Sequence, residues 1–113
     1  MGIHASGGSD APVVDFNVME NIYSAVTRKN LKGLPEGGWI PSEKMTVDEA
    51  VKLFTKYAAY ASYSEHENGT LEVGKWADLA VIEKDIYEIS PELIKETRID
   101  MTILAGKTVY TRI

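Results

Sequence analysis

One acidic residue near the start of the chain, Asp10, has a sequence setting that suits chemistry. It lies in the stretch GGSDAPV at residues 7–13, where two glycines and a serine precede it and Pro12 follows two positions later. Small residues leave a backbone turn open to close approach by a ligand or a metal ion. A carboxylate in such a turn can ligate a metal or carry a proton. The same pattern is also typical of an Asx turn or a helix start, and that structural interpretation stays open.

The two histidines, His4 and His66, do not form a zinc motif. A zinc site needs three or four converging ligands, usually including a pair at short spacing on one element. His4 stands in GIHAS and His66 in the polar stretch SEHENG, so we interpret both as ordinary histidines. A Ser-His-Asp set built from Ser9, His66 and an acid lacks a nucleophile elbow and is discounted.

A glycine-rich stretch, GTLEVGK at residues 69–75, has part of the spacing of a phosphate-binding loop. That loop needs Ser or Thr after the lysine and a helix behind it. Here Trp76 follows, and an apolar run typical of a strand comes next. The stretch therefore predicts a turn that leads into a strand.

Composition excludes several classes of protein. The chain has 113 residues, a net charge of −5 and no cysteine, and 44% of its residues are apolar. An acidic protein lacks the Lys and Arg clusters that bind nucleic acid, and without cysteine there is no disulfide, thiolate metal site or Cys nucleophile. No apolar run reaches the roughly 18 residues that span a bilayer. We expect one compact globular unit in the cytoplasm, with no nucleic-acid and no membrane partner.

The elements around Asp10 follow from the hydrophobic spacing. GIHAS at residues 2–6 predicts the end of a short strand, so that Asp10 follows a strand's C-terminal end. Helical spacing predicts a helix over about residues 18–31, with Asn17 or Asp15 as its cap and Gly33 beyond its end. Residues 31–44 contain two prolines and three glycines and therefore predict a loop.

The second half of the chain predicts one more helix and a small sheet. Thr46 and Glu49 have the spacing of a capping box at the start of a helix that covers TVDEAVKLFTKYAAYAS. Ser90 and Pro91 predict a short helical turn. The runs ADLAVIEKD and IDMTILAGKTVYTRI predict three strands, of which the last two form a hairpin around AGK. The predicted fold class is α+β, with a short opening strand, two main helices and a mostly antiparallel sheet.

Five motifs in this order resemble the C-terminal part of a metal-dependent amidohydrolase, in the branch that includes N-substituted formamide deformylases. They are GSDAPV at 8–13, AVTR at 25–28, TVDEA with Thr55 beyond it, GTLEVGKWADLAVI at 69–82 and TILAGKTVY at 102–110. The resemblance implies a (β/α)8 barrel with a β-sandwich domain built from both chain ends. Residues 1–62 would then be the C-terminal end of the barrel, with its last strand and helices. Residues 63–113 would be the C-terminal half of the sandwich.

By this resemblance Asp10 is the catalytic acid that follows the eighth barrel strand. It would pass a proton from metal-activated water to the leaving nitrogen and would ligate the divalent metal, which we expect to be zinc, in the intact parent. The implied substrate is a small molecule with an amide-type bond rather than a peptide. The family's His-x-His pair and its other metal ligands are absent from this sequence. We therefore expect the fragment alone to hold no metal and to be inactive.

A second hypothesis is a non-enzymatic association or binding module derived from the amidohydrolase tail. An upstream reading frame with His-x-His would favour the enzyme fragment, and a native start at Met1 would favour the module. Met1 precedes what the spacing predicts to be mid-strand sequence, so we expect it to have been added in front of a truncated chain. Apolar faces and a strand edge without partners predict self-association.

Overall fold

The computed structural model describes residues 2–113, which form α-helices, strands and two short 3₁₀ helices. The α-helices are α1 (Val18–Thr27), α2 (Val47–Leu53) and α3 (Lys56–Ala61), and the strands are β1 (Leu79–Ile82), β2 (Ile99–Leu104) and β3 (Lys107–Thr111). The 3₁₀ helices cover Pro41–Glu43 and Pro91–Glu96. The α+β class is confirmed at this level, whereas the barrel and sandwich assignments remain predictions.

The three strands form one antiparallel sheet in the order β1–β2–β3. Leu79 pairs with Ile103 across β1 and β2, and Thr102 pairs with Tyr110 across β2 and β3. Ala105 and Gly106 close the β2–β3 hairpin with φ values of +49° and +78°. Positive φ at both positions is what a two-residue type I′ turn requires. The predicted strands and their hairpin are confirmed.

Helix α1 begins where the sequence predicts and ends earlier. The Asn17 side chain accepts a hydrogen bond of 3.1 Å from the Met19 N–H, which makes Asn17 the cap. The predicted end near residue 31 is wrong, because Arg28 has a φ of +58° and turns the chain out of the helix. Asn30 then holds the turn that follows, since its side-chain oxygen accepts from the Leu34 N–H at 3.1 Å.

The predicted second helix is interrupted. Its capping box is confirmed, because the Thr46 N–H donates to the Glu49 carboxylate at 2.8 Å and the Glu49 N–H donates to the Thr46 hydroxyl at 3.2 Å. A single helix through to residue 62 is wrong, since helix α2 stops at Leu53 and α3 starts at Lys56. At the break the Leu53 carbonyl accepts from the Gly7 N–H at 2.9 Å.

The predicted opening strand is wrong. Residues 2–9 have no regular secondary structure, and the sheet of the described chain contains β1, β2 and β3 alone. A strand needs a neighbouring strand to satisfy its backbone groups. In this segment the Gly7 N–H instead bonds to the end of α2.

The chain divides into two interleaved compact units. The sheet unit contains the chain up to Gly7 with residues 52–83 and 98–113, and the helix unit contains residues 8–51 and 84–97. The predicted division at residue 62 concerns the barrel and sandwich of a longer family member, and it stays a prediction.

The core of the helix unit lies between α1 and the Pro91–Glu96 helix. Tyr23 and Ile94 are fully buried there. The Tyr23 hydroxyl donates to the Asn30 carbonyl at 3.1 Å, and the Lys29 ammonium lies 2.6 Å from the Glu92 carboxylate. Further buried apolar side chains complete this core, namely Met19, Ile22, Val26 and Ile86.

Candidate functional site

Asp10 lies at the first position of a tight turn in the helix unit. Its backbone carbonyl accepts a hydrogen bond of 2.9 Å from the Val13 N–H. Its φ of +51° lies in the left-handed region, which aspartate adopts more readily than most residues. The side chain is exposed. The turn therefore presents the carboxylate to solvent.

Helix α1, which follows the Asp10 turn, has side-chain hydrogen bonds at its start. The Asn21 side-chain amide donates to the Asn17 carbonyl at 2.8 Å, while the Asn17 side chain caps the helix. These bonds define where α1 begins, with its cap Asn17 seven residues after Asp10. Within residues 2–113 the Asp10 carboxylate itself has no hydrogen bond or ion pair, so no neighbouring side chain competes with a ligand for it.

The two histidines, His4 and His66, lie in different surroundings. The His4 ring stacks on Tyr57 with centroids 4.8 Å apart and meets Tyr60 edge to face at 4.9 Å. His66 is exposed in the turn that follows α3. In the described part of the chain, no three His, Cys, Asp or Glu side chains lie close enough to hold a metal ion.

The Gly69–Lys75 stretch forms a mostly exposed turn, and strand β1 is the next element after it. The Lys75 ammonium, which a phosphate loop would need, instead contacts the Thr70 hydroxyl at 2.6 Å and the Glu72 carboxylate at 2.7 Å. The hydrogen bond from Lys75 lowers the pKa of the Glu72 carboxyl below its ordinary value. A structural turn ahead of β1 is the better interpretation of this stretch.

The motif that follows this turn connects it to the hairpin. The Asp78 carboxylate accepts a hydrogen bond of 2.7 Å from the Ala105 N–H, and the Ala77 carbonyl accepts from the Gly106 N–H at 3.0 Å. Both bonds join the residues ahead of β1 to the β2–β3 turn. The WADLAVI part of the motif thus has a structural role in the sheet unit.

A second group of chemically active side chains was not singled out from the sequence. The Arg28 guanidinium lies 5.0 Å from the centroid of the Trp39 ring, and Lys44 approaches the same loop. The signal available in the sequence was the Gly37–Gly38 pair directly before Trp39. That pair could not reveal which cations the loop would approach.

Comparison with known proteins decides the family. The model of a family described as the amidohydrolase family matches residues 1–110. The chain belongs to the amidohydrolase family. Amidohydrolases are generally metal-dependent.

Several known proteins match nearly the whole chain. YtcJ from Bacillus subtilis (strain 168), provisionally named an amidohydrolase, is 34% identical over 98% of the chain and 21% of its own length. N-substituted formamide deformylase from Arthrobacter pascens is 32% identical over 98% of the chain and 20% of its own length. Protein LONG AFTER FAR-RED 3 from Arabidopsis thaliana is 33% identical over 91% of the chain and 17% of its own length. The chain therefore spans about a fifth of the length of these relatives.

No solved structure matches this amidohydrolase chain. None of the helices formed by residues 2–113 is both long enough and apolar enough to cross a membrane.

Proposed function

We propose that these residues are the C-terminal part of a metal-dependent amidohydrolase that hydrolyses the carbon–nitrogen bond of a small amide or formamide. The match of residues 1–110 to the amidohydrolase family carries this proposal. The formamide class is supported by the relative from Arthrobacter pascens, which is named a formamide deformylase. A cytoplasmic location belongs to the same proposal and is compatible with a chain that has no cysteine.

In this proposal Asp10 is the proton carrier. Water adds its oxygen to the formyl or acyl carbon and gives a proton to the Asp10 carboxylate. The carbon–nitrogen bond then breaks, and Asp10 returns the proton to the leaving nitrogen, so that a carboxylic acid and an amine are formed. The exposed carboxylate without a partner among residues 2–113 supports this role. Its position on a tight backbone turn also supports it, because such turns admit a ligand closely.

The metal of this enzyme would need ligands from outside the described residues. Residues 2–113 contain no cluster of three potential ligands, so Asp10 can be at most one member of the set. We expect the chain by itself to show no hydrolysis and no stoichiometric zinc. The substrate of the whole enzyme would be a small amide, and residues outside these 113 would select which amide binds.

The test is a chimera in which this chain replaces the matching fifth of the Arthrobacter pascens deformylase. Formate release from an N-substituted formamide is measured for the chimera and for its Asp10→Asn and Asp15→Asn variants. Asp15 is the matched control, because it is an exposed acid five residues further along the chain. We expect Asp10→Asn to lower kcat by about 100-fold or more, and Asp15→Asn to leave it unchanged.

Equal loss of activity in both variants, or none in Asp10→Asn, would refute the role of Asp10. If the chimera does not fold, zinc analysis of the chain alone still tests the proposal. One tightly bound zinc per chain that disappears in Asp10→Ala would show that these residues build a site of their own.

A second candidate function, a non-enzymatic association module, is favoured by the exposure of β3. This strand ends the sheet, and all five of its residues are exposed. We propose that a second copy of the chain pairs with its open edge. In an antiparallel pair centred on Val109, Lys107 faces Thr111 of the other copy, so the charged residue of the strand meets no like charge. The Arg112 charge is already bound to Asp100 at 2.6 Å.

Two features of β3 limit this pairing. A lysine on an edge strand discourages pairing with another chain, and Lys107 is such a residue. An irregular register has the same effect, and the pairing of β3 with β2 shifts register between Thr102 and Ile103. We therefore expect a weak dimer that forms as concentration rises, measured by sedimentation velocity. Val109→Lys places like charges opposite each other and should leave a monomer, whereas Glu88→Lys, at an exposed position outside the sheet, should not. A monomer at every concentration would refute this candidate.

A further inference from the structure

We propose that Arg28, Trp39 and Lys44 form a binding site for a small aromatic carboxylate. The site lies within the helix unit, in the loop that follows α1. This inference goes beyond the proposed hydrolase activity and does not depend on Asp10.

The loop fixes Arg28 and Trp39 against each other. The Trp39 N–H donates to the Arg28 carbonyl at 2.8 Å, and the Arg28 Nε–H donates to the Trp39 carbonyl at 3.0 Å. The guanidinium lies over the indole at 5.0 Å from the ring centroid. These contacts hold the Arg28 side chain through its Nε atom. They leave the two terminal nitrogens, which form the fork that binds a carboxylate, without a protein partner among residues 2–113.

Gly38 brings a second cation to the same place. A Cβ at Gly38 would lie 3.1 Å from Lys44 Cε and 3.2 Å from Arg28 Cβ, so both side chains border this glycine. The same Cβ would collide with the Thr27 carbonyl, and the φ of Gly38 is +91°. Only glycine therefore allows the loop to approach the end of α1 so closely.

The two cations are not neutralised by the protein. The loop also contains Glu36 and Glu43, but neither acid forms a hydrogen bond or ion pair with Arg28 or Lys44 in the described chain. By contrast, the neighbouring Lys29 is paired with Glu92 at 2.6 Å. The chain as a whole has a net charge of −5, so these two unpaired cations form a positively charged spot on an acidic protein.

The indole decides the class of ligand. Trp39 remains 63% exposed although Arg28 covers part of its ring. An exposed aromatic surface beside a guanidinium favours a flat apolar group that carries a negative charge. A carboxylate on an aromatic ring can bind the Arg28 fork while its ring packs on the indole. A simple inorganic anion would use only the cations.

The experiment is a titration of the whole chain with benzoate, with neutral benzamide as the matched probe. It is monitored by tryptophan fluorescence in the Trp76→Phe variant, where Trp39 is the remaining one of the two tryptophans. We expect a saturable change with benzoate and a much weaker one with benzamide. Arg28→Gln should weaken benzoate binding at least about tenfold, and Lys44→Gln should weaken it about threefold.

Lys32→Gln is the control, because Lys32 is an exposed lysine of the same loop whose side chain does not border Gly38. Its benzoate affinity should equal that of the unmodified chain. If Arg28→Gln does not fold, Arg28→Lys replaces it, and loss of the bidentate fork should still weaken binding. Absence of saturable binding, equal affinity for benzamide, or unchanged affinity in the Arg28 variant would each overturn the site. Phosphate binding as tight as that of benzoate would show a site for anions in general.

Discussion

The Asp78 carboxylate accepts a hydrogen bond of 2.7 Å from the backbone N–H of Ala105, 27 positions later in the chain. This bond joins the residue in front of β1 to the turn between β2 and β3. The start of β1 thereby has a side-chain connection to the hairpin turn in addition to the backbone ladder of the sheet. We expect Asp78→Ala to lower the free energy of unfolding by about 1 kcal/mol, as measured by urea denaturation.

Asp78→Asn should be milder, because the amide oxygen still accepts the hydrogen bond from Ala105. Glu88→Ala is a suitable control, since Glu88 is an exposed acid outside the sheet. If Asp78→Ala were no more harmful than Glu88→Ala, the bond would not contribute to stability.

The hairpin turn contains one residue, Ala105, in a strained backbone conformation. Ala105 has a φ of +49°, a conformation in which a Cβ is crowded against the following carbonyl. We expect Ala105→Gly to raise the free energy of unfolding by about 0.5–1 kcal/mol in urea denaturation, because the relief of strain exceeds the entropic cost of glycine. Gly106→Ala, at a φ of +78°, should have the opposite sign. Equal signs for the two variants would contradict this account of the turn.

Gly7 and Gly8 are neighbours with opposite tolerance for a side chain. A Cβ at Gly7 would lie 2.8 Å from Phe54 Cζ and 3.1 Å from Leu53 Cβ, whereas a Cβ at Gly8 would meet nothing within 4 Å. We expect Gly7→Ala to lower the free energy of unfolding by about 1–3 kcal/mol, as measured by urea denaturation. Gly8→Ala should leave it unchanged or raise it slightly. Phe54→Leu should partly rescue Gly7→Ala if the ring contact is the cause. Equal effects of the two alanine variants would contradict close packing at Gly7.

The Lys29–Glu92 pair predicts a pH dependence of stability. The hydrogen bond from Lys29 lowers the pKa of the Glu92 carboxyl below its ordinary value of 4.5, and the same bond raises the pKa of Lys29 above 10.5. The contribution of Glu92 is therefore complete above pH 4.5 and is lost as pH falls through its lowered pKa. The contribution of Lys29 is complete below pH 10.5 and is lost as pH rises further.

The measurement compares urea unfolding of the chain and its Glu92→Gln variant across this pH range. The difference between them should be constant near neutral pH and should close below pH 4.5. It should be small, because this ion pair lies at the surface. Glu88→Gln, which alters an exposed acid, should show no such closure. If the two free energies of unfolding still differed at low pH, the charge of Glu92 would not be the cause of the difference.

Short-range signals account for the elements that the sequence predicted correctly. The Asn17 cap, the Thr46–Glu49 capping box and the AGK turn each depend on residues within a few positions of one another. Their hydrogen bonds join residues that are close together in the sequence. Composition and spacing were therefore sufficient for the start of α1, the start of α2 and the hairpin.

Two of the incorrect predictions concern contacts between distant parts of the chain, and the third concerns the backbone conformation of one residue. The break between α2 and α3 coincides with the hydrogen bond from Gly7 to Leu53, and no periodicity in residues 46–62 signals it. The same bond belongs to the segment that was expected to be a strand. The early end of α1 comes from the left-handed backbone of Arg28, a conformation that arginine rarely adopts.

The candidate sites show the same division. An open turn at Asp10 was predictable from its glycine, serine and proline neighbours, and its catalytic role stays a prediction. The Arg28–Trp39–Lys44 group was not predictable, because it depends on the loop folding back to the end of α1 at Gly38. Residue types alone do not reveal which cations a glycine will allow to approach.

The interleaving of the two units affects how the protein can emerge from a ribosome. Tyr23 on α1 bonds with Glu92, and these residues are 69 positions apart. Translation at about 5–20 residues per second would separate their appearance by roughly 3–14 seconds. During that interval the apolar side of α1 has been synthesised but its packing partner has not. The apolar side of the nascent α1 should therefore need protection until the Pro91–Glu96 helix has emerged.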